Sequence, residues 1–276
     1  MNDILQDISG PALVTAFEAN LAELFSLFRQ WRRAEVYMGE NILWTITDVP
    51  AAFFNSIIRA QLSPNEVDDE IEAAILRGKS RNVPIGWWTG PATRPADLGA
   101  SLLTHGFVHE GDMPGMAINL SVLDAHMPIP PGLVIEQVTD IESLKKWHHV
   151  FVVGSGMPDF MGDAFFEVFC ILGLDADCPF RHYVGLLNGE PVATSMLFLE
   201  AGVAGIYNVA TVPEARRKGF GTALTYKALR EAHNAGYKVG ALQASKDGET
   251  VYRKLGFEEC WKMGHYAWRP NKQNAS

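Results

Sequence analysis

The chain has 276 residues, of which 47% are hydrophobic and 20% charged, and its formal net charge is −9. This balance is typical of a globular protein that is long enough for two modest domains. An acidic chain without a basic stripe argues against binding to nucleic acid. The acidity weakly favours a cationic amine as the substrate.

The three cysteines, Cys170, Cys178 and Cys260, show neither a CxxC pair nor metal-ligand spacing, so no metal site is expected. Their odd number argues against a disulfide framework and fits a reducing cytoplasm. The first residues lack the basic segment of a signal peptide. The apolar run from Val150 to Leu174 is interrupted by proline and acids, which favours two amphipathic helices over a membrane span. We therefore expect a cytoplasmic protein that does not enter a membrane.

Hydrophobic periodicity predicts a series of short elements in the first half of the chain. They are strands over Asn41–Thr47 and Phe53–Leu62, a helix over Val67–Arg77, a strand over Ile85–Thr89, the segment Leu98–Phe107 and an apolar strand ending at Leu120. The proline-rich segment 127–132 is the best linker, because proline disfavours helix and cannot lie in a central strand. It separates residues 1–126 from residues 133–270, and a polar tail follows at 271–276.

After the linker, the pattern predicts the order β-α-α-β-β-β-α-β-α-β. The elements are Leu133–Val138, Asp140–Val153, Asp163–Leu172, His182–Leu187, Val192–Leu199, Val203–Val212, Ala223–Ala235, Lys238–Ala244, a short helix around Tyr252, and Glu259–Trp268.

Most of the functional information lies in a basic, glycine-containing loop. Residues 209 to 222 are Val-Ala-Thr-Val-Pro-Glu-Ala-Arg-Arg-Lys-Gly-Phe-Gly-Thr, so a strand leads through the loop into a helix. A row of backbone N–H groups beside a helix N-terminus binds anions, above all phosphates. Gly219 and Gly221 let the backbone approach a ligand without an intervening Cβ. Neither a P-loop nor the dinucleotide fingerprint fits, because Gly-Lys-Ser/Thr is missing and position 224 is Leu.

The pattern Arg216-x-x-Gly219-x-Gly221 resembles the pyrophosphate loop of the GNAT superfamily of N-acetyltransferases, whose signature is [Q/R]-x-x-G-x-[G/A]. Downstream, Tyr252-x-x-Leu-Gly-Phe257 is similar to the end of a helix in that family. The alternative is a generic strand–helix unit with a glycine C-cap at Gly256. The resemblance implies an α/β fold with a twisted mixed sheet flanked by helices.

The resemblance also implies acetyl-CoA as the cofactor, with its diphosphate on the backbone of the loop. The cofactor-binding residues that it implies are Val209, Ala210, Thr211, Arg217, Lys218, Gly219, Phe220, Gly221, Thr222 and Ser245. Free backbone N–H groups of the strand ending at Thr211 would bind the thioester oxygen in the manner of an oxyanion hole. Tyr252 would protonate the leaving thiolate, the alternative being a tyrosine half-buried on an amphipathic helix. Asp159 and Phe160 would lie in the acceptor pocket, although core packing explains that segment as well.

No general base stands out in the sequence. Some members of the family carry a Glu on the strand before the loop, and the matching position here is Gly205. Tyr207, Asn208, Glu200 and Asp159 are candidates, and a base acting through ordered water is equally compatible.

The first half carries a weak repeat of the second. Leu98–Phe107 ends in Gly-Phe like Thr250–Phe257, and both segments precede a polar turn and an apolar strand. In place of the glycine loop, the first half has Leu62–Glu70 with four acidic residues, which would repel a diphosphate. We predict two GNAT-like halves, of which the first binds no CoA.

The expected function is direct transfer of an acetyl group from acetyl-CoA to an amine of a small molecule or a peptide. Neither motif holds a cysteine, which argues against a covalent enzyme intermediate. The alternatives are transfer from another acyl-CoA, a non-catalytic acyl-CoA-binding or regulatory module, and a protein-interaction scaffold. The sequence does not name the acceptor or decide between a monomer and a homodimer.

Overall fold

A computed structural model of the protein describes residues 4–8, 10–124, 127–175 and 178–270. The predicted tail at 271–276 lies outside the described residues. The chain forms two compact units. Unit 1 comprises Met1–Asn20 and Pro114–Cys260, and unit 2 comprises Leu21–Met113 and Trp261–Ser276.

The described chain contains both helices and strands. In chain order they are α1 (Pro11–Ser26), β1 (Glu35–Met38), β2 (Ile42–Ile46), β3 (Ser56–Ala60), α2 (Val67–Arg81), β4 (Ile85–Thr89), α3 (Leu98–Thr104), β5 (Val108–Asn119), β6 (Leu133–Gln137), α4 (Ile141–Ser155), α5 (Asp159–Leu172), β7 (Phe180–Leu187), β8 (Glu190–Glu200), β9 (Val203–Thr211), α6 (Phe220–Asn234), β10 (Val239–Gln243), α7 (Glu249–Leu255) and β11 (Glu258–Trp268).

Unit 1 contains a mixed sheet in the order β5–β10–β9–β8–β7–β6. The pair β9–β10 is parallel and the other pairs are antiparallel. Helices α4 and α6 pack on β8 and β9, and their apolar faces meet a core that includes Val150, Leu197, Leu224 and Leu229. Asp140 begins α4 with a capping box, as its residue type predicts.

Unit 2 contains a second mixed sheet in the order β1–β2–β3–β4–β11. The pair β3–β4 is parallel, and β11 runs antiparallel to β4. Its core includes Ile71 of α2, Trp87 of β4, and Leu98 and Leu102 of α3, all at most 2% exposed. The fold is thus a mixed α/β architecture, in agreement with the fold class predicted from the sequence.

The compact units do not follow the linear division of the chain at residues 127–132. Residues 115–119 of β5 pair with β10 in unit 1, and residues 264–268 of β11 pair with β4 in unit 2. Strand pairing is non-local, so the periodicity of one strand does not reveal which neighbour it pairs with. The division into two repeated halves therefore stays a prediction.

Several predicted boundaries differ from the structure by a few residues, and two of these differences have a local reason. Helix α5 begins at Asp159 rather than Asp163, because Pro158 has the extended conformation of an N-cap (φ −62°, ψ 147°). The predicted strand Phe53–Leu62 starts only at Ser56, because the buried Asn55 side chain accepts from Thr47 N–H at 2.7 Å and donates to two carbonyl groups. Within the part of the chain that the structure describes, no helix has both the length and the apolar character needed to span a bilayer.

Candidate active site

Strands β9 and β10 run parallel but are paired only near their beginnings. Ala204 pairs with Gly240 and Gly205 with Ala241, and both strands continue beyond these pairs. Among the described residues, none pairs with residues 206–211 on the side that faces β10. We call this opening the β9–β10 fork. It leaves backbone N–H and C=O groups of β9 available to a ligand.

A bulge at Asn208 bends β9 inside the fork. The register between β8 and β9 shifts by one residue, because Thr194 lies opposite Ala210 whereas Met196 lies opposite Tyr207. Asn208 has a φ of +51°, and its carbonyl oxygen accepts from Thr194 Oγ1 at 2.9 Å. A bulge changes the direction of the backbone groups that follow it. Sequence reasoning missed this feature, although asparagine is one of the few residues that favours positive φ.

The loop after β9 presents a row of unbonded N–H groups. Residues Arg217 and Gly219 both have positive φ, +62° and +81°, and Gly219 is the N-cap of α6. Within the described chain, the N–H groups of residues 217–222 have no acceptor, and helical bonding starts when Ala223 N–H donates to the Gly219 carbonyl. Residues 216–219 are exposed. This arrangement is a backbone anion site at a helix N-terminus.

The start of α6 lies directly against the end of β9. A Cβ at Gly221 would lie 3.4 Å from Thr211 Oγ1. On the other side of β9, a Cβ at Gly154 would lie 3.0 Å from Ala210 Cβ. The structure therefore brings together the predicted cofactor residues of β9, Val209–Thr211, with those of the loop.

The three basic side chains of the loop have different surroundings. Arg216 donates from Nη2 to the Gly154 carbonyl at 2.9 Å and from Nε to the Thr211 carbonyl at 3.2 Å, so it fixes the loop to α4 and β9. Lys218 Nζ donates to the Glu214 carbonyl at 3.1 Å within the loop. Among the described residues, Arg217 has no hydrogen-bond or ion-pair partner, so its charge is available to a ligand.

Tyr252 presents a neutral phenol from α7. Its side chain is 8% exposed, and burial raises its pKa to about 12. The ring packs edge-on against Phe257 with 5.7 Å between centroids, and the hydroxyl has no hydrogen-bond partner in the described chain. A Cβ at Gly248, the N-cap of α7, would lie 2.8 Å from the Tyr252 ring, so a side chain at this position would displace the ring. The phenol is thus fully protonated at neutral pH and free to donate.

Ser245 shapes the approach to α7. Its Oγ accepts from Gly248 N–H at 3.1 Å, and its carbonyl accepts from the N–H groups of Gly248 and Glu249, each at 3.0 Å. The hydroxyl proton is not used in these bonds. The predicted contact of Ser245 with the cofactor stays a prediction.

At Gly205, where some members of the family carry a glutamate base, the side chain of Asn20 fills the space that a glutamate would need. A Cβ at Gly205 would lie 2.4 Å from Asn20 Oδ1 and 2.5 Å from the Tyr207 ring. Asn20 is fully buried, donates from Nδ2 to the Glu200 carbonyl at 2.8 Å, and accepts from the Tyr207 hydroxyl at 2.7 Å. Burial raises the pKa of Tyr207, and its proton is engaged, so Tyr207 is excluded as the base. Sequence reasoning missed Asn20, which lies 187 residues before Tyr207.

Asp159 and Phe160 are the first residues of α5 and are exposed. Helix α5 packs against α4, where a Cβ at Gly162 would meet Val152. No hydrogen bond or ring contact in the described chain joins Asp159 or Phe160 to the fork or the loop. Their predicted place in an acceptor pocket stays a prediction.

Unit 2 contains a second fork, which its own chain closes. Strands β3 and β4 pair through Ser56 with Gly86 and Ile57 with Trp87, and then separate as β9 and β10 do. Between them, Arg94 N–H donates to the Ala60 carbonyl and the Arg94 carbonyl accepts from Leu62 N–H, each at 3.0 Å. We call this the β3–β4 fork. Residue 94 thus bonds to two backbone groups on the β3 side of this fork.

Comparison with known proteins bears on the second half of the chain. Residues 150–257 match the model of the Acetyltransferase (GNAT) family, and this range contains the β9–β10 fork, the loop and Tyr252. The chain carries a GNAT acetyltransferase domain. The match supports an acyltransferase enzyme and confirms the family predicted from the loop. No curated protein matches the sequence.

Several solved structures resemble nearly the whole chain and not only the GNAT domain. A GCN5-related N-acetyltransferase from Kribbella flavida is 20% identical, with a TM-score of 0.70 over 94% of this chain and 97% of that one. A GCN5-related N-acetyltransferase from Sphaerobacter thermophilus is 14% identical, with a TM-score of 0.64 over 98% and 96% of the two chains. A tandem GNAT protein from the clavulanic acid biosynthesis pathway is 13% identical, with a TM-score of 0.61 over 97% and 98%. At these identities the similarity establishes the fold.

Proposed function

We propose that the chain transfers an acetyl group from acetyl-CoA directly to an amine. The observation that supports this most strongly is the β9–β10 fork, which opens beside six unbonded N–H groups at residues 217–222. The N–H row fits a diphosphate, and the fork fits an extended amide chain that bonds to β9 as a strand would. Few other ligands need both features side by side.

The chain supplies three actions in this reaction. Acetyl-CoA brings the thioester carbonyl whose acyl group the amine takes. Residues 217–222 hold the anionic end through their N–H groups, assisted by Arg217. Backbone N–H groups of β9 beyond the Asn208 bulge polarise the carbonyl oxygen. Tyr252 donates its proton to the departing thiolate, because its raised pKa keeps it protonated.

The amine loses its proton to water rather than to a side chain of β9. Asn20 occupies the position where a β9 carboxylate would lie, and Tyr207 is bonded to it. An amine that reaches the site unprotonated needs no strong base, so the pH dependence of turnover follows the pKa of the free acceptor.

We also propose that the chain is a tandem of two GNAT-like halves, 1–126 and 133–270, joined at 127–132. Each unit contains a parallel strand–helix–strand, β3–α2–β4 in unit 2 and β9–α6–β10 in unit 1, that separates into a fork. The tandem GNAT protein that resembles the whole chain supports this division.

A direct test is incubation of the full chain with acetyl-CoA and a panel of small amines and peptides, followed by mass spectrometry of the acceptors and measurement of released thiol. We expect acetylated amine and free CoA in equal amounts. If the chain acylates the acceptors only when a longer acyl-CoA replaces acetyl-CoA in the assay, the transferred group is not acetyl. Tight CoA binding without turnover on any acceptor would favour the non-catalytic module.

A further inference from the structure

A cavity lies within unit 2, beside the segment that bonds inside the β3–β4 fork. Its volume is about 460 Å³, a size typical of small-molecule sites. The segment that follows β4, the start of α3, the middle of β5 and β11 line it. The chain that fills the fork with Arg94 thus also forms the wall of this cavity.

Three charged side chains line the cavity, and two of them have no partner. Asp97 precedes α3 but makes no capping hydrogen bond, and it forms no ion pair within the described chain. Lys262 of β11 likewise has no ion-pair partner among the described residues. Asp112 Oδ1 lies 2.9 Å from His109 Nε2, which fixes the orientation of the carboxylate. Unpaired charges of opposite sign around one cavity are complementary to a ligand that carries both signs.

The wall behind these charges is closely packed. The Tyr266 ring stacks on His109 with 4.7 Å between centroids. A Cβ at Gly99 would collide with the Tyr266 hydroxyl, and a Cβ at Gly264 would lie 2.7 Å from Thr89 Oγ1. Gly99 therefore leaves space for the Tyr266 side chain, and Gly264 leaves space for the Thr89 side chain. A wall whose side chains are already fixed loses little entropy when a ligand binds.

The geometry points to this cavity as a binding site for a free basic α-amino acid. The α-ammonium group lies at Asp97, the α-carboxylate at Lys262, and a cationic side chain at Asp112. Two carboxylates and one ammonium on the protein balance two ammonium groups and one carboxylate on the ligand. A simple amine would leave Lys262 unpaired, and an inorganic anion would leave Asp97 unpaired.

The site is separate from the proposed acetyl transfer. Every lining residue belongs to unit 2, and none lies among the predicted cofactor or catalytic residues. The result of a binding experiment at this cavity therefore does not decide whether the chain is an acetyltransferase.

The test is isothermal titration of the full chain, without CoA, with L-lysine, cadaverine and Nα-acetyl-L-lysine. Cadaverine lacks the carboxylate and Nα-acetyl-L-lysine lacks the α-ammonium group. We expect L-lysine to bind at one site per chain, at least tenfold more tightly than either analogue. Because this comparison uses the unmodified protein, it does not depend on the folding of a variant. No heat with L-lysine, or equal affinity for all three compounds, would overturn the proposal.

Variants locate the site. Asp97→Asn and Lys262→Gln should each weaken L-lysine binding at least tenfold, whereas the exposed controls Asp69→Asn and Lys79→Gln on α2 should leave it unchanged. Gly221→Asp, which blocks the proposed CoA loop, should also leave it unchanged and so excludes binding as an acceptor at the β9–β10 fork. Unaltered affinity in both cavity variants, or loss in Gly221→Asp alone, would contradict the assignment to unit 2.

Discussion

Two parallel strand pairs of this chain open into forks, and they differ in what occupies the opening. In unit 2, the backbone of Arg94 bonds to β3 inside the fork, and the following helix α2 begins with Asp68, Asp69 and Glu70. In unit 1, the described chain leaves the β9–β10 fork unpaired, and α6 begins at a glycine loop with basic residues. The fork alone therefore does not make a cofactor site, because the loops around it decide whether it is open and which charge it accepts.

The two halves also differ at the residue proposed as the acid. Leu102 stands in the first half where Tyr252 stands in the second, five residues before the Phe of Gly-Phe in each case. Leu102 is fully buried in the core of unit 2, whereas Tyr252 keeps an unbonded hydroxyl. The first of the two proposed halves thus lacks the loop, the opening and the acid together, which is the pattern expected if only the second half binds the cofactor.

The largest effect, on CoA affinity, is expected when an acidic residue like those at the start of α2 is introduced at the start of α6. In Gly221→Asp the new Cβ makes only ordinary contact with Thr211 and Val209, and an acid in the first turn of α6 is favourable for the helix. Its carboxylate would repel the diphosphate, so CoA affinity should fall about 1,000-fold, or about 4 kcal/mol. Calorimetry with CoA measures this. Gly221→Ala is the control and should bind CoA normally, because the signature [Q/R]-x-x-G-x-[G/A] allows alanine at this position. Normal binding by Gly221→Asp would show that the diphosphate lies elsewhere.

A smaller effect is expected from restoring a carboxylate on β9. Gly205→Glu would force its side chain into the space held by Asn20 and Tyr207, so the free energy of unfolding should fall by about 3 kcal/mol. Urea unfolding of the full chain measures this. Asn20→Ala combined with Gly205→Glu should recover part of the loss. Additive losses in the double variant would mean that Asn20 does not fill the position of the carboxylate.

Removal of the proposed acid should act on turnover and leave binding intact. Tyr252→Phe should lower kcat about 100-fold with an unchanged Kd for CoA, because the ring remains and only the proton donor is lost. The matched control is Tyr183→Phe, which removes a buried hydroxyl that the proposed mechanism does not use and should not affect kcat. Equal rates in Tyr252→Phe and the unmodified protein would remove Tyr252 from the mechanism.

The smallest effect concerns the pH dependence of stability in the two units. His182 of unit 1 is buried among Trp147, Phe169 and Phe180, and burial lowers its pKa to about 3. Burial also lowers the pKa of His265 of unit 2, but Glu110, which lies 3.1 Å away, opposes this shift. A lowered pKa favours the folded state above pH 6.5, and the benefit is lost as the pH falls toward 3.

Between pH 8 and pH 5 the loss attributable to His182 should be about 2 kcal/mol. His182→Phe should therefore flatten the acid side of the stability profile measured by urea unfolding, and a matched His265→Phe variant should do so to a smaller extent, because Glu110 opposes the shift of the His265 pKa. An unchanged slope in His182→Phe would show that this imidazole is solvated or paired.

The features of the fold and the site that the sequence predicts are those that depend on residues close together in the chain. The loop from Arg216 to Gly221 and the end of α7 at Tyr252 are local patterns, and the family match confirms the family that they indicate. Most strands and helices followed from periodicity and turn residues in the same way. Three other features depend on residues that are far apart in the sequence, so no local pattern predicts them. They are the hydrogen bonds of Arg94 inside the β3–β4 fork, the Asn20 side chain beside Gly205, and the division of the chain into compact units.

The most direct measurement is the stoichiometry of CoA binding to the full chain by isothermal titration calorimetry. One open fork and one closed fork predict a single event with one CoA per chain, which Gly221→Asp abolishes. Two equivalents per chain would show that the β3–β4 fork also accepts the cofactor. No binding at saturating CoA would contradict the assignment of the loop at residues 217–222.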